Sequence, residues 1–200
     1  MDKTTAIRAA LNKLGERNFT ENSATYAPIL EEWKRALLTA SAAHSWTFTR
    51  SITTLTPRKT NTPDGILVYD YPPDCLSIIQ LVDADNRRIT WRPYADRTLT
   101  TRHAPTAHPT CIYNNNSLTC TETLPDHDPI FCDYFITLLA SRIAPCVLGG
   151  QTGIALSQNL MQESIAHLNE ARTRDTQQYA SNDEADPIRT YLHLNSTVRL

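Results

Sequence analysis

The chain has 200 residues, of which 40 % are hydrophobic and 20 % charged, and its formal net charge at pH 7 is −2. The apolar content excludes an intrinsically disordered chain and suits one large domain or two small lobes. The near-neutral charge disfavours a basic module that attracts nucleic acid through its overall field. Five cysteines without a C-x-x-C pair favour a reducing cytoplasm, where they act as small hydrophobic residues.

The N-terminal segment, MDKTTAIRAALNKLGE, lacks the apolar region of a secretory signal and predicts a helix that stops at Gly15. Pro28 in a first turn marks a second helix, whose expected buried stripe is Tyr26, Leu30, Trp33, Leu37 and Ala40. No apolar run approaches the roughly 18 residues that a membrane-spanning helix needs. The sequence therefore predicts no membrane association.

The apolar period then changes from helical to alternating. Residues 46–52 and 66–71 predict strands, the second ended by two consecutive prolines. Residues 77–82 and 88–92 predict a hairpin around the turn 83–86, and 94–110 predicts an exposed loop.

A second hairpin is predicted from 111–113 and 118–120, around the Asn-rich turn 114–117. Its register would place Cys111 opposite Cys120. The two cysteines would then form a disulfide or redox pair, or simply share one face as small residues. A reducing compartment favours the second interpretation.

Asp128 followed by Pro129 predicts the start of a helix, and the run from 130 to 148 is apolar on nearly all sides, as expected of a central buried helix. Gly149 and Gly150 predict a corner. A last helix, from about Ile154 to Ala180, is predicted to bury one stripe and to project its polar final turns beyond the core. The predicted stripe is Leu156, Leu160, Met161, Ile165 and Leu168.

These elements predict a mainly α fold with a β insertion, of the α+β class. An antiparallel helical bundle would form from N- and C-terminal helix pairs, with a small antiparallel sheet domain between them. The predicted ranges are 1–45 and 128–182 for the helix pairs, 46–127 for the insertion, and 183–200 for an extended tail. An apolar tail is expected to add a strand to its own sheet or to another chain's, and we favour the second. Its apolar residues are Ile188, Tyr191, Leu192, Leu194, Val198 and Leu200.

No nucleophile elbow, phosphate-binding glycine loop or H-E-x-x-H motif is present. His127 lies between two aspartates, but Asp128 already serves as the helix cap. His103 and His108 with Cys111 match no standard zinc spacing. The sequence therefore predicts no catalytic residue, no metal, no cofactor and no enzyme activity.

Several segments, taken in order, resemble one family, the head-to-tail adaptors (tail tubular protein A) of short-tailed bacteriophages. They are the helix pair ending at HSW (44–46), YPPDCLSIIQLVD (71–83), ITWRPYADRTLTT (89–101), the short strand CIY (111–113), and the Asp-Pro-capped helix pair from Asp128 to Asp175. The loop 102–110 is longer and richer in proline than the family pattern.

The resemblance implies a virion protein of the tail or neck, assembled in the host cytoplasm. It implies a ring of about twelve copies between the portal and the tail nozzle, extending the DNA exit channel. Double-stranded DNA would pass through the lumen without sequence-specific contact, and the tail residues 188–200 would dock on the portal. The alternative is a DNA-contacting accessory protein without catalytic activity, using Arg87, Arg88, Trp91 and Arg92.

Overall fold

The computed structural model describes residues 1–17, 26–58, 66–101 and 108–180, with side chains up to residue 177. Of the described residues, 54 % are helical and 21 % are in strands, with two small antiparallel sheets, which confirms the predicted α+β class. The helices are α1 (Lys3–Lys13), α2 (Tyr26–Ala43), α3 (Ser117–Thr121), α4 (Pro129–Leu148) and α5 (Gly150–Ala180). The strands are β1 (Arg50–Thr54), β2 (Leu67–Asp70), β3 (Cys75–Val82), β4 (Arg92–Tyr94), β5 (Thr98–Thr101) and β6 (Thr110–Asn115).

The chain divides into two compact units. The helical unit contains Met1–Phe48 and Ser117–Gln177, and the β unit contains Thr49–Asn116. These boundaries are narrower than the predicted insertion 46–127. Trp46 is fully buried in the core of the helical unit, and α3 contacts α2 in the same unit.

The helical unit is organised around α4, on which α1 and α2 pack. The α4 helix begins where the sequence predicts, because the Asp128 side chain accepts a hydrogen bond from Phe131 N at 3.0 Å. Its side chains are buried on most faces, as expected of a central helix. The stop of α1 is also confirmed: Gly15 follows its last turn with φ +79°, a conformation that glycine adopts without strain.

The apolar character of α4 corrects one expectation. Over 20 residues it has a mean hydropathy of 1.5, so by length and composition it could cross a membrane. However, 67 % of that stretch is buried inside the protein. A core helix explains the composition, because a helix surrounded by neighbours is apolar all round.

The corner between α4 and α5 forms at the predicted glycines, with φ +65° at Gly149 and +54° at Gly150. Close approach is required at Gly153, where a Cβ atom would lie 2.8 Å from the Ala144 carbonyl oxygen. The first turn of α5 can therefore pack against α4 only through a residue without a side chain.

The β unit contains one sheet of order β1-β6-β3 and another of order β2-β5-β4, both antiparallel. Its core is a small cluster around Tyr69, Leu81, Leu99 and Cys111. In the edge strand β3 the register slips twice, which leaves Leu76 and Ile79 without a partner on β6. Both are β-bulge residues, and both side chains are exposed, by 44 % and 40 %.

Of four predicted local structures in this region, two are wrong and two are only partly right. Residues 118–120 belong to the helix α3, so the hairpin with 111–113 does not exist, and Cys111 lies opposite Leu81 and Thr53 instead of Cys120. The predicted hairpin of 77–82 and 88–92 forms only next to its turn, where Arg88 pairs with Val82 and Ile89 N donates to Leu81 O at 2.9 Å. The rest of its second arm differs from the prediction, because β4 pairs with β5. The predicted loop 94–110 contains β5 and the start of β6. Within the predicted strand 46–52, residues Thr47–Thr49 form a 3-10 turn before β1.

Candidate interaction surface and the base of the tail

One face of α5 carries exposed apolar side chains. Ile154, Met161 and Ile165 are exposed by 47 %, 38 % and 52 %. They are spaced by seven and then four residues, which places them in one row along the helix. We call this row the α5 stripe. The exposed residues beside it carry no charge: Gln158, Gln162 and Asn169. Exposed apolar side chains in a charge-free row are typical of a surface that another protein covers.

The stripe corrects the predicted packing of α5. Leu160 is buried and Leu156 and Leu168 are half-buried, as expected, but Met161 and Ile165 face outward. The other buried positions on this helix are small or polar: Gly153, Ser164, Ala171 and Asp175. Small residues let α5 approach its neighbours closely, so its inward face is not its most apolar face.

Contrary to the prediction, α5 stays packed on the helical core as far as Asp175. Asp175 is only 3 % exposed, and each of its carboxylate oxygens has a partner. Oδ1 accepts from Thr47 N at 3.0 Å, and Oδ2 lies 3.0 Å from His44 Nε2. A buried carboxylate requires such partners, since a buried polar group left unpaired costs about 1–3 kcal/mol. We call His44, Thr47 and Asp175 the latch.

Neighbouring contacts hold the latch in place. One turn earlier, Arg172 donates to the carbonyl oxygen of Ala43 at the end of α2. Trp46 lies between His44 and Thr47 in the chain, and its indole N–H donates to Ala40 O at 2.8 Å. The His44 ring meets the Trp46 ring edge to face at 4.9 Å between centroids. The last part of α5 is thus fixed to the residues that lead from α2 into the β unit.

Of the four residues suggested for DNA contact, three have exposed side chains and one packs against the β-unit core. Asp83 Oδ1 accepts from the backbone N–H groups of Asp85 (3.0 Å) and Arg87 (2.8 Å) and so shapes the turn 83–87. The side chains of Arg87, Arg88 and Arg92 are exposed. In contrast, Trp91 packs against the β-unit core, which leaves its ring poorly placed to stack on a base.

The described residues contain no group of three His, Cys, Asp or Glu side chains that could hold a metal ion. His127 is exposed, and its ring lies 5.9 Å from the Phe48 ring between centroids, whereas His103 lies outside the described residues. Burial raises the pKa of Cys111 to about 12, so its thiol stays protonated at neutral pH and is a poor nucleophile.

A polar cleft of about 230 Å³ opens in the β unit, between residues 53–56 and 70–74. Each of its two carboxylates has a partner. Asp70 pairs with Arg58 at 3.0 Å, and Asp74 accepts from the Tyr113 hydroxyl at 2.9 Å. Burial, with that hydrogen bond, raises the pKa of Tyr113 to about 12, so the hydroxyl remains a donor. Both carboxylates of the cleft are therefore already paired within the protein.

The six predicted docking residues, Ile188 to Leu200, lie outside the described residues. The structure therefore describes the helix α5 that precedes the tail, including the latch residue Asp175, and not the tail itself. Comparison with protein-family models gives no match, and comparison with curated proteins gives no significant one.

Proposed function

We propose that this chain is a structural head-to-tail adaptor of a short-tailed phage, without enzyme activity. Copies of it would form a ring of about twelve between the portal and the tail nozzle, and the tail residues 188–200 would dock on the portal. In this proposal the N- and C-terminal helix pairs form one antiparallel bundle, the core of each ring subunit.

The α5 stripe is the observation that carries the proposal. Removing each square ångström of apolar surface from water contributes roughly 25 cal/mol, so three exposed apolar side chains on one helix favour association with protein. The stripe lies within the segment 128–175 that most resembles the adaptor family. Its lack of charge suits contact with another protein, since no ion must be desolvated there.

Electron microscopy of the purified protein, alone and with the portal of the same phage, tests the proposal. We expect closed rings seated on the portal, with the same copy number in each particle. A chain ending at Pro187 should remain folded, because every described core residue precedes that point, yet should no longer bind the portal. Undiminished portal binding by the truncated chain would contradict the docking role of the tail.

The alternative function, DNA contact, is supported by the exposed side chains of Arg87, Arg88 and Arg92. If these arginines bind phosphates, a mobility-shift assay on duplex DNA should show binding that weakens steeply with salt. Replacement of all three by glutamine should then abolish the shift. No shift at low salt would exclude this function.

A further inference from the structure

The latch lies where three parts of the chain meet. His44 follows the end of α2, Thr47 lies three residues before β1, and Asp175 lies five residues before the end of α5. The other two carboxylates of α5, on Glu163 and Glu170, are exposed. Asp175 is therefore the carboxylate of this helix that the fold removes from water.

Both bonds of the latch end on one carboxyl group. If the last turns of α5 move away, Asp175 loses Thr47 N–H and His44 together, because neither partner can follow while Trp46 remains in the core. We therefore expect residues 44–47 and the α5 turn around Asp175 to become ordered, or to lose their order, together.

We propose that Asp175 is a positioning residue for the C-terminal tail. It holds the last described turns of α5 against residues 44–47, and it couples the order of these two segments. The inference rests on the proposed function, in which residues 188–200 dock on the portal. A tail held at its base has less conformational freedom to lose when it docks than a tail on a frayed helix.

Hydrogen exchange of the full chain tests the coupling without any partner. Asp175→Ala removes both acceptors, whereas Asp175→Asn keeps an oxygen for Thr47 and a similar volume. Glu170→Gln, on the same helix and exposed, is the matched control. We expect the alanine variant to exchange faster in 43–50 and 170–180 together, the asparagine variant to show a smaller change in the same two segments, and the control to show none. A change in only one segment, or in neither, would overturn the coupling.

Binding to the purified portal tests the positioning role. Asp175→Ala should weaken binding about tenfold by leaving more of the tail base to be ordered on docking. Ile7→Val, which destabilises the α1 core, provides a control for general loss of stability. An equal loss of binding in that control would show that Asp175 acts only through stability, and would overturn the proposal. If the chain ending at Pro187 binds the portal fully, the proposed docking fails, while the exchange experiment still decides the coupling.

Discussion

The helical unit and the β unit are stabilised in different ways. The helical core contains Trp33, Trp46, Phe131 and Phe135, all fully buried, in one continuous cluster. Ring contacts near 5 Å join Trp33 to Phe135 and Phe131 to Trp46. The β unit has a much smaller apolar cluster, whereas both units bury polar side chains, such as Thr98 and Asn114 in the β unit and Asp175 in the helical unit.

The difference teaches where each unit tolerates change. A large aromatic core loses much transfer free energy when one ring is removed, but many neighbours remain. A small sheet core has few neighbours, so one lost side chain affects the whole unit, while the ladder hydrogen bonds remain its main support. Mutations in the two units should therefore differ in how much they lower the free energy of unfolding and in how far along the chain they reduce protection.

The largest effect is expected in the helical unit. Phe135→Ala removes a fully buried ring that packs against Trp33, with centroids 5.0 Å apart, and should lower the free energy of unfolding by about 4 kcal/mol. Denaturant titration followed by Trp fluorescence measures it. A loss below about 1 kcal/mol would show that the helical core is loosely packed.

A smaller and more local effect is expected in the β unit. Leu99 is fully buried in β5, the central strand of its sheet, and Leu99→Ala should cost about 3 kcal/mol. Hydrogen exchange should then quicken throughout residues 49–116 while α1 and α4 keep their protection. Equal loss of protection in the helices would show that the two units unfold as one.

The next prediction concerns how closely the first turn of α5 packs against α4. Gly153→Ala should destabilise the protein by about 1–2 kcal/mol, because the clash with the Ala144 carbonyl exceeds the gain in helix propensity. Thr152→Ala, exposed on the same turn, is the control and should be neutral or slightly stabilising. Thermal unfolding compares the two, and a stable Gly153→Ala variant would show that the corner can open without cost.

The smallest effect concerns a surface ion pair of the helical unit. Lys13 donates to Glu163 at 2.8 Å, and this hydrogen bond lowers the pKa of Glu163. A lowered folded-state pKa gives stability that is present above the ordinary value of 4.5 and is lost as the pH falls through the folded value. Because the carboxylate is 45 % exposed, Glu163→Gln should cost only on the order of 0.5 kcal/mol at pH 7. The difference from the unchanged protein should vanish near pH 2 in urea titrations, and a constant difference would contradict the ion pair.

The parts of the fold with strong local signals could be predicted. The Asp128 cap, the glycine stops and the apolar α4 are each determined by residues close in sequence. The Asn-rich turn failed because Asn114 and Asn115 find partners across the sheet: their amides donate to Ser77 Oγ at 3.0 Å and Ser51 Oγ at 2.8 Å. Such distant partners outweigh local turn preference.

The candidate surface was harder to predict, since it depends on which face of α5 is buried. The apolar pattern favoured Met161 and Ile165 for the core, but α5 packs through Gly153, Ser164 and Ala171. Nothing local marks Asp175 as buried either, because its partners, His44 and Thr47, are more than 120 residues away in the chain. The docking role of the tail stays a prediction.

The two bulges of β3 have a consequence for solubility. A regular sheet edge is a template on which a strand of another molecule can grow, and amyloid-like stacking begins in that way. Two extra residues within this edge strand break the spacing of its N–H and C=O groups, and Ile89 N–H and Arg97 already bond the Leu81 and Cys75 carbonyls, so an incoming strand cannot stay in register with it. Leu76 and Ile79 can therefore remain exposed on β3 without turning this edge of the sheet into a nucleus for fibres.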